Sequence, residues 1–171
     1  PRRRDWLSKM LDKFEDDVAI VYGKQRGNEV TKYPEKRIFE QWFPEVSTRK
    51  QRSPFVNNAN AAIRRDLWEE YPYDEHLTGL EGIDWAKRVK EDGYDIAYAA
   101  DATIIHVHDE SPQEIFNRYR REAIALNRIY ADRDFTFVDF LKTVSTNIVA
   151  DYAAALKDRE LLNSLAEIPV F

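Results

Sequence analysis

The chain has 171 residues, 43% hydrophobic and 33% charged, with a formal net charge of −5 and no cysteine. Such a composition can bury a core and is too apolar for a disordered chain. It excludes a disulfide framework and a thiolate metal site, and its acidic balance argues against a nucleic-acid partner. No apolar run approaches the roughly 18 residues of a membrane span.

In chain order, Asp5 is placed to cap a short helix over residues 6–14, with Trp6, Leu7, Met10, Leu11 and Phe14 as its apolar stripe. Val18 to Tyr22 reads as a buried strand ended by Gly23. Residues 24–34 read as a loop. Ile38, Phe39, Trp42 and Phe43 share a helical face. The polar, basic stretch 45–54 reads as a second, mobile loop. Asn57-Asn58-Ala59-Asn60 then precedes the run to Ile63, and a short helix begins at Arg65-Asp66. A helix after Glu81 turns Ile83, Ala86 and Val89 inward and stops at Gly93. Two strands follow, 96–98 and 103–105, separated by Ala100-Asp101. Ser111-Pro112 with Glu114 starts the next helix. A last helix, about 137–157, carries Leu141, Val144, Ile148, Tyr152 and Leu156 at steps of three and four. Strands alternate with helices early and helices alone close the chain, which predicts an α/β protein. Pro1-Arg2-Arg3-Arg4 and Ile168-Pro169-Val170-Phe171 read as cut ends of something longer.

Three stretches carry candidate chemistry. Glu81 and Asp84 share the first turn of a helix, where a carboxylate could act as a general base; equally, both acids could serve the positive end of the helix dipole. His106 and His108 alternate by two, so on a strand both imidazoles would point to one face and could hold a metal. Otherwise they are polar residues at a strand end. The three asparagines suit a tight turn whose side chains fix either loops or a polar ligand. Trp6, Trp42 and Trp68 are expected in the core; Trp85, beside the acidic turn, could stack on a sugar ring.

Together these pieces resemble the C-terminal, acceptor-side half of a family-2 glycosyltransferase with a GT-A fold, including a bacterial rhamnosyltransferase-like subgroup. The residues that carry the resemblance are Val21-Tyr22-Gly23-Lys24-Gln25, Asn57 to Leu67, Tyr73-Asp74-Glu75, Leu80 to Arg88, His106 and His108, and Asn117 to Leu126. It covers about residues 1–130, leaving 131–171 as a helical extension. It implies a partial GT-A (nucleotide-diphospho-sugar transferase-like) mixed sheet with flanking helices. It also implies sugar transfer from a nucleotide-sugar donor to a saccharide acceptor, with inversion, in cell-surface polysaccharide synthesis.

By the same resemblance, Glu81, Gly82 and Asp84 fall in the catalytic turn, and Gln25, Asn58, Asn60, Arg64 and Trp85 in the substrate site. His106 falls at a site for divalent manganese or magnesium. Two departures stand out: the nucleotide-binding half with its DxD motif is absent, and the family's catalytic Asp corresponds to Gly82, so the chain alone is expected to be inactive. A cytoplasmic setting follows. The last helix's stripe needs a cover, for which the domain itself, a second copy and the inner membrane surface are candidates. A saccharide-binding module without catalysis, and a small metal-dependent hydrolase using His106, His108 and Asp109, are the alternatives.

Overall fold

The computed structural model describes Pro1 and residues 4–170; Arg2, Arg3 and Phe171 lie outside the described residues. In order the elements are α1 (Trp6–Leu11), β1 (Val18–Arg26), α2 (Tyr33–Trp42), β2 (Ala61–Ile63), α3 (Arg65–Glu70), α4 (Glu81–Glu91), β3 (Asp95–Ile105), α5 (Pro112–Ile129), α6 (Phe137–Lys157) and α7 (Leu161–Ser164). The expected α/β class holds: a mixed sheet with flanking helices, then C-terminal helices. The chain divides into two compact units, Pro1–Arg26 with Trp42–His106, and Gly27–Gln41 with Val107–Phe171.

The first unit is built on a three-stranded sheet of order β2-β1-β3, with β1 antiparallel to β2 and parallel to β3. Successive strand residues face opposite ways, so Val21 and Tyr22 serve different layers. Val21 joins Val18, Ala97, Ala99 and Ala102 beneath Met10 of α1, with Trp6 and Phe14 packed against them. Tyr22 meets Tyr98, Phe55 and Phe43 at ring-centroid distances of 5.0, 5.7 and 6.3 Å. Burial pushes the Tyr22 phenol up to about 12 and raises that of Tyr98 as well.

Both phenols are neutral when folded, so their contribution is intact below pH 10. It is lost as pH rises from 10 towards the folded values, because the unfolded tyrosines ionise first. Each unit of that window costs about 1.4 kcal/mol per tyrosine. Unfolding free energy measured in urea should therefore be level from pH 8 to 9 and drop steeply above 10. A flat profile to pH 11.5 would contradict the buried ring cluster.

Several elements depart from the sequence reading. Strand β1 does not stop at Gly23 but runs on to Arg26. A Cβ at Gly23 would overlap the Ala102 carbonyl and the Asn60 amide, so the glycine admits a close approach within the strand. The two strands expected around Ala100-Asp101 are one strand, β3. Its register against β1 jumps from Ala99 opposite Gly23 to Ile104 opposite Gln25, and the polar interruption is absorbed as a bulge.

Nor is the 45–54 stretch loose. Thr48 and Tyr98 exchange backbone hydrogen bonds of 3.0 and 2.7 Å, the Gln51 N–H donates to the Ile96 carbonyl, and the Ser47 hydroxyl accepts from the Ala100 N–H. The loop pairs with the otherwise open edge of β3. Helix α1 ends at Leu11, and Asp5 makes no side-chain cap. Of the tryptophans, Trp6 packs against the core as expected, whereas Trp42 and Trp68 are exposed and Trp85 is fully buried.

The second unit holds most of α2, with α5, α6 and α7. Ser111 and Glu114 close a capping box on α5, and Thr136 and Asp139 do the same for α6. Helix α2 is tied to the C-terminal segment. Arg37 Nε pairs with Asp151 at 2.9 Å, Tyr33 Oη donates to Asp158 at 2.8 Å, and the Tyr33 N–H donates to Glu167 at 2.9 Å. Glu35, on the first turn of α2, is 3% exposed and bonds His108 Nδ1 through Oε1 at 2.5 Å.

Candidate functional site

The acidic turn and the asparagine turn both lie in the first unit. Helix α4 is entered through Gly79 (φ 155°) and Leu80 (φ 61°), and the Leu80 carbonyl accepts from the N–H groups of Ile83 and Asp84 at 2.9 and 3.1 Å. A leucine in the left-handed region costs on the order of 1–2 kcal/mol, so the turn is held by its surroundings. It presents Glu81, Gly82 and Asp84 in the first turn. Asp84 is committed to Arg88 Nε at 3.0 Å, and Arg88 Nη2 also donates to the Pro72 carbonyl. Asp84 therefore anchors the segment before α4. Glu81 has no ion pair among the described residues; burial raises the phenol of Tyr73, and the charge of Glu81 adds to that rise.

Each asparagine has a separate task. Asn57 Oδ1 accepts from the Ala59 N–H at 3.0 Å and caps the short 3-10 turn Asn58–Asn60. Asn60 is buried and its Nδ2 donates to the carbonyls of Ala102 at 2.8 Å and Lys24 at 3.1 Å, pinning the bulge between β1 and β3. Its amide nitrogen is thereby committed within the fold, while its Oδ1 is buried with no partner among the described residues. Asn58 is exposed, and its side chain lies where a Cβ on buried Gly82 would have to sit. Position 58 and position 82 are thus direct neighbours.

Of the remaining expected site residues, Arg64 is occupied. Its Nη2 and Nε grip Asp66 at 2.5 and 3.1 Å and its Nη1 donates to the Asp16 carbonyl, which leaves no free fork for a ligand. Trp85 donates Nε1–H to the Tyr71 carbonyl at 2.5 Å and meets Tyr73 edge-on at 6.3 Å, so it is core and offers no ring face to a sugar. Gln25 is fully buried near the end of β1, and among the described residues neither its Oε1 nor its Nε2 has a partner. An unpaired buried amide costs about 1–3 kcal/mol.

His106 follows β3, its N–H donating to the Arg26 carbonyl at 3.0 Å. Because the strand ends at Ile105, His106 and His108 do not form the same-face pair expected on a strand. Among the described residues no group of three or more His, Asp or Glu side chains is placed to hold a metal ion. The residues present do not by themselves assemble the implied metal site.

Two positions escaped the sequence reading. Gln51 accepts the Tyr22 hydroxyl at 2.5 Å and donates to the carbonyls of Phe55 and Ser53, while its own carbonyl takes Lys90 Nζ. Nothing in a polar loop marks one glutamine as its fastening. Glu35 is equally unmarked, since an acid in a first helical turn ordinarily faces water.

A stretch of this chain is glycosyltransferase-like. Over 66 residues, 38% of the chain, it is 38% identical to the O-antigen chain rhamnosyltransferase RfbN of Salmonella typhimurium, and to the same extent to the O-antigen chain rhamnosyltransferase WbaN of Salmonella anatum. The match spans 21% of each relative's length. No family model and no solved structure matches. Among the described residues no helix is long and apolar enough to cross a membrane.

Proposed function

We propose that the chain is the acceptor-side portion of an inverting glycosyltransferase that moves a sugar from a nucleotide-sugar donor to a saccharide hydroxyl in bacterial surface-polysaccharide synthesis. The observation that carries this reading is the 66-residue similarity to two rhamnosyltransferases. The geometry agrees with it. Glu81, a carboxylate without a cation partner among the described residues, lies at the entrance of α4 next to the Gly82–Asn58 contact, where an exposed amide could hold a sugar hydroxyl. A carboxylate that takes the acceptor's proton as the new bond forms is what inversion needs.

A specific observation favours a second reading, a saccharide-binding module without catalysis. Position 82 carries no side chain and the space in front of it is filled by Asn58. The two readings separate in one experiment. Donor turnover is followed by phosphorus NMR with and without a saccharide acceptor, and acceptor binding by saturation-transfer NMR. Acceptor-dependent turnover supports the transferase, and binding without turnover supports the module. Neither signal, in an enzyme carrying this segment whole, would remove both.

A further inference from the structure

We propose that Tyr73, Asn58 and Glu81 form a subsite for a neutral saccharide, in which the Tyr73 phenol donates to a sugar hydroxyl. The inference rests on the saccharide reading above and deepens it by one residue and by a class of sugar. Tyr73 is fastened to α4 through its chain neighbours. Trp85 Nε1–H donates to the Tyr71 carbonyl at 2.5 Å and Arg88 Nη2 to the Pro72 carbonyl at 2.9 Å, and the Tyr73 ring meets Trp85 edge-on at 6.3 Å. Glu81 stands one helical turn before Trp85, on the same side of α4. Its charge bears on the half-buried Tyr73 phenol and adds to the rise that burial causes. No hydrogen bond joins the two, and among the described residues neither the phenol nor the carboxylate has another polar partner.

The edge contact with Trp85 needs the ring of Tyr73 and not its hydroxyl, which is left to face the same space as Glu81. Asn58, exposed and lying against Gly82, adds an amide beside that carboxylate. A phenol and an amide both donate and accept, and a carboxylate accepts. Such a set suits sugar hydroxyls, which also do both. Electrostatics then selects among sugars. The cations of α4 are all committed: Lys87 to Glu91 at 2.8 Å, Arg88 to Asp84 at 3.0 Å, and Lys90 to the Gln51 carbonyl at 2.7 Å. Arg64, beyond the asparagine turn, is held by Asp66. No cation of α4 therefore offsets Glu81, and a sugar carboxylate would meet it as a like charge. The subsite fits a neutral sugar and disfavours a uronic acid.

The test is the binding of matched glycosides to the 171-residue chain, titrated by saturation-transfer NMR. The probes are the methyl pyranosides of glucose, galactose and mannose, each paired with its methyl uronide. At least one neutral glycoside should bind. Tyr73→Phe, which keeps the ring on Trp85, should weaken it roughly 3–10-fold, the share of one neutral hydrogen bond, with an unchanged melting temperature. The matching uronide should bind more weakly at low salt, and Glu81→Gln should narrow that gap. A neutral glycoside held equally well by Tyr73→Phe overturns the inference and leaves the saccharide reading standing. A uronide that binds as tightly as its neutral counterpart does the same. Binding of no glycoside also overturns the inference; the saccharide reading falls with it only if an enzyme carrying this segment whole shows no acceptor-dependent turnover.

Discussion

His108→Ala is expected to cost about 1–3 kcal/mol of stability, the penalty for leaving a buried polar group without its partner. Glu35 keeps Oε1 on His108 Nδ1, while its Oε2 is already buried without a partner. Without the imidazole the whole carboxylate would be unpaired in a site 3% open to water. A loss of that size is a large fraction of the roughly 5–15 kcal/mol that holds a domain together.

The cause can be separated from simple loss of packing. Glu35→Met removes the buried carboxyl group while keeping the volume, so the double variant Glu35→Met with His108→Ala should recover most of the deficit. Chemical denaturation of the four proteins gives the coupling directly. A His108→Ala effect within about 0.5 kcal/mol, the usual range of exposed sites, would mean that the pair carries no load.

That pair also marks where the sequence ceases to inform. Periodicity and end signals were enough for α5 and α6, because Ser111, Pro112 and Glu114, and the apolar steps from Leu141 to Leu156, act through neighbours three and four residues away. The sheet was legible for the same reason, as runs of buried residues. What failed depends on partners distant in the chain. Trp85 adjoins an acidic turn, a position from which a ring could stack on a sugar. The buried face of α4 is Gly82, Trp85, Ala86 and Val89, with Ile83 only partly covered, and the tryptophan lies in its middle.

Arg64 and Asn60 lie in a stretch that resembles a substrate site, yet one is gripped by Asp66 and the other bridges a bulge. Polar character alone cannot tell a ligand-binding side chain from one already paired within the fold. Within the expected site, Asn58 and Gly82 are the pair that the structure brings together.

Gly82→Asp is therefore the substitution with the most to reveal. In a full-length enzyme carrying this segment, it should raise sugar transfer by roughly 10²–10⁴-fold, the contribution of a positioned general base, or about 2.7–5.5 kcal/mol of barrier. The new side chain meets Asn58 first. Because Asn58 is exposed, its amide can swing aside, and Asn58→Ala in the same protein removes the obstruction altogether. The double variant should equal or exceed Gly82→Asp if sterics limit the gain. It should fall below it if the Asn58 amide also holds the acceptor.

Glu81 is the competing candidate for the base. It starts one Cα away with a longer arm, and catalytic geometry tolerates an error of only about 1 Å, so Glu81→Gln should matter in the natural Gly82 background and much less once Asp stands at 82. Helix electrostatics cannot mimic this pattern, since another acid in a first turn is worth only about 0.3–1 kcal/mol. Donor-dependent transfer to a saccharide acceptor is the readout for the Gly82 protein and all four variants. Full activity with Gly82 together with its abolition by Glu81→Gln would make Glu81 the base. If no variant changes the rate, the acidic turn is a helix entrance and the chemistry lies elsewhere.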